Sequence, residues 1–171
     1  MKIILANFTK MVNDSGGLAK VTCDFANEMQ MRGHDVTLVY SDVQEGDFFY
    51  CLNANIKKYD LRHFRGEIIR YPLYLKIKRE ILRMVSPQKA RTINNDFAEQ
   101  YLIKNINILL QELLPDIIIS SQPAASKILL CDLQTKIPVV TMSHGDPEDY
   151  FHIYPKKEIP ALEKSAVCQV L

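Results

Sequence analysis

Asp14-Ser15-Gly16-Gly17-Leu18 follows an apolar run at Lys2–Phe8, and Pro138-Val139-Val140-Thr141-Met142-Ser143-His144-Gly145 places a histidine after another such run. Each segment puts small or polar residues directly behind a predicted strand. In an open parallel α/β sheet, ligands bind at the carboxyl ends of the strands. A glycine pair that opens a helix can present backbone N–H groups to a phosphate there. The two segments therefore predict an α/β fold with a ligand site at one edge of its sheet.

Hydrophobic periodicity extends this unit into an alternation of strands and helices. Strands are predicted at Ile3–Phe8, Asp35–Tyr40, Ile117–Ser120 and Val139–Ser143, with a further short strand within Asp47–Leu61. Helices are predicted at Gly16–Arg32, Tyr71–Val85, Asn94–Leu114, Ala124–Leu133 and Pro160–Ser165, and the start of another strand at Ala166–Leu171. This order predicts a doubly wound, Rossmann-like α/β domain whose sheet is parallel and whose first strand is central.

Length and composition are those of one globular domain. The chain has 171 residues, of which 47% are hydrophobic and 24% charged, so it can bury a substantial core. A formal net charge of +1 excludes a bulk electrostatic attraction to nucleic acid. The apolar runs are too short for a signal peptide or a membrane span. We therefore expect a cytoplasmic protein without a nucleic-acid partner.

The cysteine pattern indicates neither a metal site nor a disulfide framework. Cys23, Cys51, Cys131 and Cys168 form no Cys-x-x-Cys pair and have no histidine at zinc-ligand spacing. Cysteines in apolar surroundings behave as small hydrophobic residues. The sequence predicts reduced, buried thiols and no bound metal.

Positive charge is concentrated in one part of the chain. Lys57–Arg91 contains eleven Lys and Arg residues but three Asp and Glu residues. Tyrosine, leucine and isoleucine are interleaved with the basic residues Lys76, Lys78, Arg79 and Arg83. This pattern allows a solvated helix face, a helix facing an anionic membrane surface, or a site for an anionic acceptor.

Three positions are candidates for ligand contact, each with a structural alternative. Gly16-Gly17 lacks the Gly-x-Gly-x-x-Gly pattern of dinucleotide sites and could simply be a loop before a helix. Asp42 follows the second strand, where it could bind a ribose as in nicotinamide-dependent enzymes or serve as a turn residue. His144 could face the ligand crevice or cap its strand. The sequence has no Gly-x-Ser-x-Gly elbow, which disfavours a hydrolase triad.

These segments together resemble the N-terminal domain of the family 4 retaining glycosyltransferases, which have the two-domain glycosyltransferase B fold. The strand Lys2–Phe8 and the Gly16-Gly17 pair come first. Three further motifs follow in the same order as in the family, namely Arg32-Gly33-His34-Asp35-Val36-Thr37-Leu38-Val39, Leu114-Pro115-Asp116-Ile117-Ile118-Ile119 and Ile137-Pro138-Val139-Val140-Thr141-Met142-Ser143-His144-Gly145. The resemblance covers most of the chain.

The resemblance implies a reaction and roles for the candidate residues. A nucleotide-sugar donor would lie in a cleft between two domains, with the Gly16-Gly17 backbone near its diphosphate or the acceptor. His144 would contact the sugar near the reacting carbon. Transfer would retain the anomeric configuration, without metal or cofactor. The acceptor would be a saccharide or a lipid-linked molecule in cell-envelope or polysaccharide synthesis, which would place the enzyme at the inner face of the membrane.

The resemblance also implies that the chain is one half of the fold. The chain is about half as long as family members, and it lacks their Glu-x(7)-Glu pattern. We therefore expect residues 1–171 to be the acceptor-side domain of a longer protein, with the donor-binding domain beyond Leu171, and we expect this half alone to be inactive. Two alternatives remain open, a non-catalytic α/β ligand-binding or regulatory module and a nicotinamide-dependent oxidoreductase.

Overall fold

The structure, a computed structural model, describes residues 1–144 and 158–170. Six strands form the main sheet: β1 (Lys2–Asn7), β2 (Asp35–Tyr40), β3 (Lys57–Asp60), β6 (Ile117–Ser120), β7 (Val139–Ser143) and β8 (Val167–Val170). They are ordered β3-β2-β1-β6-β7-β8, and all neighbours are parallel. Two short strands, β4 (His63–Phe64) and β5 (Glu67–Ile68), form a separate antiparallel ribbon. The predicted parallel sheet with an interior first strand is confirmed.

Helices connect the strands of the main sheet. They are α1 (Gly17–Met31), α2 (Leu73–Val85), α3 (Pro87–Leu113), α4 (Pro123–Lys127), which continues as a π-helical turn at Ile128–Asp132, and α5 (Ile159–Lys164). Helix α3 begins at Pro87 and not at Asn94 as predicted, because a proline fits the first turn of a helix. Gly33 ends the turn after α1 with φ of 85°, as expected for a left-handed cap.

Helices cover both faces of the sheet, as in a doubly wound fold. Because side chains alternate along a strand, Ile3 and Leu5 pack in the same core cluster as Cys23 of α1. Ile4 packs on the opposite face with Ile106 of α3. Strands buried on both faces require nearly continuous apolar sequence, which explains the apolar runs of β1 and β6.

The strand order fixes where a crevice opens. The chain adds β2 and β3 on one side of β1, then places β6 on the other side. The crevice of a doubly wound sheet lies at this reversal, outside the carboxyl ends of the strands. Helix α3 has 27 residues, about 40 Å at 1.5 Å per residue, whereas the six-residue β1 spans about 20 Å. Helix α3 ends just before β6, at the amino ends of the strands. Its first half therefore extends past the carboxyl edge of the sheet, and α2, which packs against α3, lies there too.

The prediction of buried thiols is correct for Cys23 alone. Cys51 and Cys168 are exposed and Cys131 is half-buried, and all four thiols are free. Cys51 lies in a loop and Cys168 on the edge strand β8, where neighbouring apolar sequence does not bury a side chain. Burial raises the pKa of the Cys23 thiol to about 11.

Alkylation should therefore separate the cysteines in the folded protein. We expect iodoacetamide to label Cys51 and Cys168 first, because the thiolate is the nucleophile and requires access. Cys23 should be labelled only after unfolding, as measured by mass spectrometry of the labelled peptides. Labelling of Cys23 at the rate of Cys51 under native conditions would contradict the packing of α1 on the sheet.

Candidate functional site

A cavity of about 260 Å³ lies at the crevice between β1 and β6. It brings together the start of α1, the residues after β6 and the end of β7. Its lining residues are Leu18, Ser121, Gln122, Pro123, Ala124, His144 and Glu158. The structure thus places the Gly16-Gly17 segment and His144 at the same edge of the sheet. Gly145, the last residue of the histidine segment, lies outside the described residues.

The start of α1 borders this cavity through Leu18. Gly16 precedes the helix in an extended conformation, no side chain caps the helix, and its first turn carries no acidic residue. The Gly16 N–H already donates to Asp14 Oδ1 at 3.0 Å. A Cβ atom at Gly17 would meet nothing within 4 Å. Because the first N–H groups of a helix lack intrahelical acceptors, the segment Gly17–Ala19 presents the positive end of the helix dipole.

His144 contributes a neutral imidazole to the same cavity. It follows the last residue of β7 directly and its side chain is mainly exposed. Loss of solvent from the buried part of the ring lowers the pKa of His144 below its ordinary value of 6.5. Near pH 7 the ring can therefore accept or donate a hydrogen bond without adding a positive charge.

Polar atoms are buried at the carboxyl ends of two strands. Asn7 Oδ1 at the end of β1 and Ser143 Oγ at the end of β7 have no hydrogen-bond partner within residues 1–144 and 158–170. Buried polar atoms are usually satisfied by protein, water or ligand. Asn7 was not among the predicted site residues, although a polar residue at the end of an apolar strand indicates a position at the ligand-binding edge of the sheet. The same signal marks Ser121 and Gln122, whereas no sequence pattern marks Glu158.

The side chain of Asp42 holds two loops of the fold together. Its side chain is buried and accepts hydrogen bonds from the N–H groups of Met11 and Val12, each at 2.8 Å, and of Gln44 at 3.0 Å. Burial favours a higher pKa, but these backbone hydrogen bonds outweigh it and hold the pKa of Asp42 below its ordinary value. The carboxylate ties the loop after β1 to the end of β2. The structure therefore supports the turn role of Asp42, whose Oδ1 accepts the N–H of Gln44 two residues later.

The basic residues of α2 do not form one patch. At about 100° per residue, Lys76, Arg79 and Arg83 lie on one flank of the helix and Lys78 lies on the other. Arg79 pairs with Glu80 at 2.6 Å and lies over the ring of Tyr71 at 5.7 Å. The four basic residues of α2 therefore lie on two flanks of the helix.

A second cavity, of about 240 Å³, lies beside the larger flank. Its lining residues are Arg62, Tyr71, Lys76, Arg79, Asn94, Phe97, Ala98 and Tyr101. Arg62 follows β3 closely, and Tyr101 Oη lies 3.1 Å from Ser41 Oγ just after β2. This cavity therefore opens beyond the same edge of the sheet as the His144 cavity, and it combines three cationic with three aromatic side chains.

Among the described residues, no group of three or more His, Cys, Asp or Glu side chains could hold a metal ion. Within the same parts of the chain, no helix is both long enough and apolar enough to cross a membrane.

The geometry defines a class of protein. A doubly wound parallel sheet of this kind is a Rossmann-like domain, and its crevice lies at the carboxyl ends of the strands. The sequence pattern of Glycosyltransferase Family 4 matches residues 15–169. The chain belongs to that family. A comparison with curated proteins found no match.

Solved structures of glycosyltransferases are similar to this chain. Sucrose-phosphate synthase from Thermosynechococcus elongatus has a TM-score of 0.62 at 9% identity, over 98% of this chain and 41% of that chain. This similarity shows the shared α/β fold, and the chain spans about two fifths of that protein. SsfS6, a glycosyltransferase from Streptomyces sp. SF2575, matches with a TM-score of 0.42 at 14% identity, over 95% of this chain and 44% of that one.

The family assignment decides one of the open alternatives. Membership in Glycosyltransferase Family 4 contradicts the nicotinamide-dependent oxidoreductase. The engaged carboxylate of Asp42 agrees with this correction, because it removes the residue that suggested such an enzyme.

Proposed function

We propose that this chain is the acceptor-side half of an enzyme that transfers a sugar from a nucleotide-sugar donor, with retention, to a saccharide or lipid-linked acceptor. The supporting observation is the cavity in which the start of α1 meets His144, in a chain of Glycosyltransferase Family 4. In this proposal a second domain beyond Leu171 binds the donor nucleotide. The enzyme works in the cytoplasm, in the synthesis of a cell-envelope polysaccharide, and requires no metal or cofactor.

The start of α1 stabilises the departing nucleoside diphosphate. Negative charge grows on the diphosphate as the glycosidic bond to the donor breaks. The N–H groups of Gly17–Ala19 and the helix dipole favour that charge, and they are fixed before the reaction begins. The open space at Gly17 lets a phosphate approach the backbone.

His144 acts on the sugar side of the breaking bond. The reacting sugar gains positive charge in the transition state of glycosyl transfer. A neutral imidazole can hold a sugar hydroxyl by a hydrogen bond without repelling that charge. The backbone carbonyl of His144 can stabilise the same charge directly.

This role gives the reaction a defined pH dependence. Because the folded-state pKa of His144 is lowered from 6.5, the ring is neutral at pH 7 and becomes charged only below 6.5. We expect kcat to fall as the pH drops through that lowered value, since the imidazolium would repel the cationic sugar. A pH profile of kcat should show this acidic limb in the wild type and lose it in His144→Gln.

The second cavity is the place we propose for the acceptor. Arg62, Lys76 and Arg79 would attract a phosphate or carboxylate of the acceptor, and the aromatic residues Tyr71 and Phe97, which line the same cavity, would contact an apolar or sugar moiety. A lipid-linked acceptor carries both kinds of group. The cationic side chains of α2, Lys76, Lys78, Arg79 and Arg83, would also draw the enzyme to an anionic membrane surface.

Gly17→Ala in the full-length protein tests the diphosphate site. The added methyl group meets no protein atom within 4 Å, so the melting temperature should not fall. The methyl group would occupy space that we assign to the donor, so the dissociation constants of UDP and GDP sugars should rise about fivefold, which is about 1 kcal/mol. Calorimetric titration measures this change, with Lys20→Ala on the exposed side of α1 as control.

Two outcomes would count against the proposal. If Gly17→Ala binds every nucleotide sugar as the wild type does, the start of α1 does not contact the donor. If the full-length protein binds donor without any transfer to saccharide or lipid-linked acceptors, the alternative of a non-catalytic α/β ligand-binding or regulatory module is correct.

A further inference from the structure

Helix α2 has an apolar face that no described element covers. Its large apolar residues are between 54% and 90% exposed, and they are Leu73, Tyr74, Ile77, Ile81, Met84 and Val85. At about 100° per residue, these positions fall within one arc of about 120°. A contiguous exposed apolar surface on a water-soluble domain indicates an interaction site.

The opposite face of α2 accounts for its attachment to the domain. Leu75 and Leu82 are half-buried and lie on the far side of the helix from the exposed arc. Helix α2 packs against α3, and none of its residues is fully buried. The exposed arc is therefore not needed to hold the helix in place.

The charges beside the arc identify the partner. Lys78 borders one side of the arc, and Glu80 borders the other, where it pairs with Arg83 at 3.7 Å. Lys76 and Arg83 lie just beyond Glu80, so the helix keeps an excess of positive charge beside the arc. Cationic side chains flanking an apolar stripe are typical of a helix that lies in the plane of an anionic membrane, where long basic side chains reach the headgroups. A second copy of the chain would bring the same cations face to face, which disfavours self-association through this surface.

We propose that α2 inserts the exposed arc into the headgroup and acyl boundary of an anionic bilayer. The inference deepens the proposed function, because it rests on a lipid-linked acceptor being the substrate. It goes further than electrostatic attraction, since the apolar side chains enter the membrane. The flank that carries Lys76 and Arg79 then faces the second cavity, so the helix separates the bilayer from the proposed acceptor site.

A single tryptophan placed in the exposed arc tests insertion directly. The chain contains no tryptophan, so Ile81→Trp gives a single fluorescent reporter in the arc. Its emission should shift to the blue on addition of phosphatidylglycerol-containing vesicles, and brominated acyl chains should quench it. Val43→Trp is the matched control, because Val43 is 68% exposed but lies outside α2. An unchanged spectrum for Ile81→Trp, or an equal shift for both, would overturn the proposal.

Two serine double variants test insertion by vesicle partition, without the fluorescent reporter. Ile77→Ser with Ile81→Ser should lower the vesicle partition coefficient at least about tenfold, and its helix content should not change, because serine and isoleucine have similar helix propensities. Wild-type binding should persist in part at about 1 M salt, where the screening length is about 3 Å. Met31→Ser with Val43→Ser removes two exposed apolar residues elsewhere and should bind as the wild type does.

The remaining outcomes separate the two proposals. Binding that disappears entirely in high salt would mean adsorption by charge without insertion. A stable dimer in lipid-free buffer that the α2 serine variant dissociates would assign the arc to a second copy. Nucleotide-sugar binding in lipid-free buffer is a separate measurement: normal binding without insertion contradicts this inference alone, and insertion without nucleotide-sugar binding contradicts the proposed function alone.

Discussion

His144→Ala is expected to lower kcat/KM of the full-length enzyme more than about tenfold, which is about 1.4 kcal/mol of transition-state stabilisation. The loss arises because the neutral ring lines the cavity shared with the start of α1, where the proposed sugar reacts. The side chain is exposed and belongs to neither core cluster. The thermal transition should therefore stay where it is. Steady-state kinetics and a thermal melt of the same preparation provide both readouts.

A second histidine provides the control for that experiment. His34 is half-buried in the turn between α1 and β2, at the opposite edge of the sheet, so His34→Ala should leave the kinetics unchanged. If His144→Ala also shows normal kinetics, or if its melting temperature drops sharply, His144 caps its strand and does not act on substrate.

Asp42→Ala is expected to destabilise the fold by about 3 kcal/mol. The substitution removes the acceptor for three backbone N–H groups, and each buried donor left unpaired costs about 1–3 kcal/mol. Met11 and Val12 are buried, so water cannot easily replace the carboxylate there. Urea denaturation should show a lower midpoint with little change in slope.

Two further variants and a pH series define the cause. Asp42→Asn keeps one acceptor oxygen and should lose less stability, and Glu45→Ala, an exposed neighbour, should lose almost none. Because the folded-state pKa of Asp42 is lowered from 3.8, its contribution is present above pH 3.8 and is lost as the pH falls through the lowered value. An alanine variant with the wild-type midpoint would show that the loop does not depend on this carboxylate.

The main sheet could be predicted because its signal is local. Strands such as Ile117–Ser120 are apolar runs bounded by turn residues, and their order with helices fixes a parallel sheet. The β4–β5 ribbon was not predicted, since each strand has two residues and shows no periodicity. The sequence did mark its turn with Gly66. Arg65 and Gly66 both have positive φ, as a tight hairpin turn requires, and glycine favours such a position.

Part of the candidate site could likewise be predicted from the sequence, and part of it depends on contacts between distant residues. Gly17 and His144 could be placed together from element order alone, because the carboxyl ends of parallel strands share one edge. The sequence suggested the turn role of Asp42, which its bond to the N–H of Gln44 bears out. Its contacts with Met11 and Val12 could not be predicted, because these residues lie about thirty positions earlier and meet Asp42 only in the folded chain. The split of the basic residues on α2 follows from the helical angle of about 100° per residue, whereas the cavity beside Lys76 and Arg79 depends on how α2 packs against α3.

The absence of any fully buried residue in α2 bears on how such an enzyme can evolve. Substitutions at surface positions usually change stability by no more than about 0.5 kcal/mol, so most positions of this helix can vary without threatening the sheet. The carboxyl edge of β1, β6 and β7, where we propose that the reaction takes place, stays under the constraints of the core. In the proposed enzyme, selection can thus adapt the acceptor or lipid preference through one peripheral helix while the proposed donor site remains unchanged.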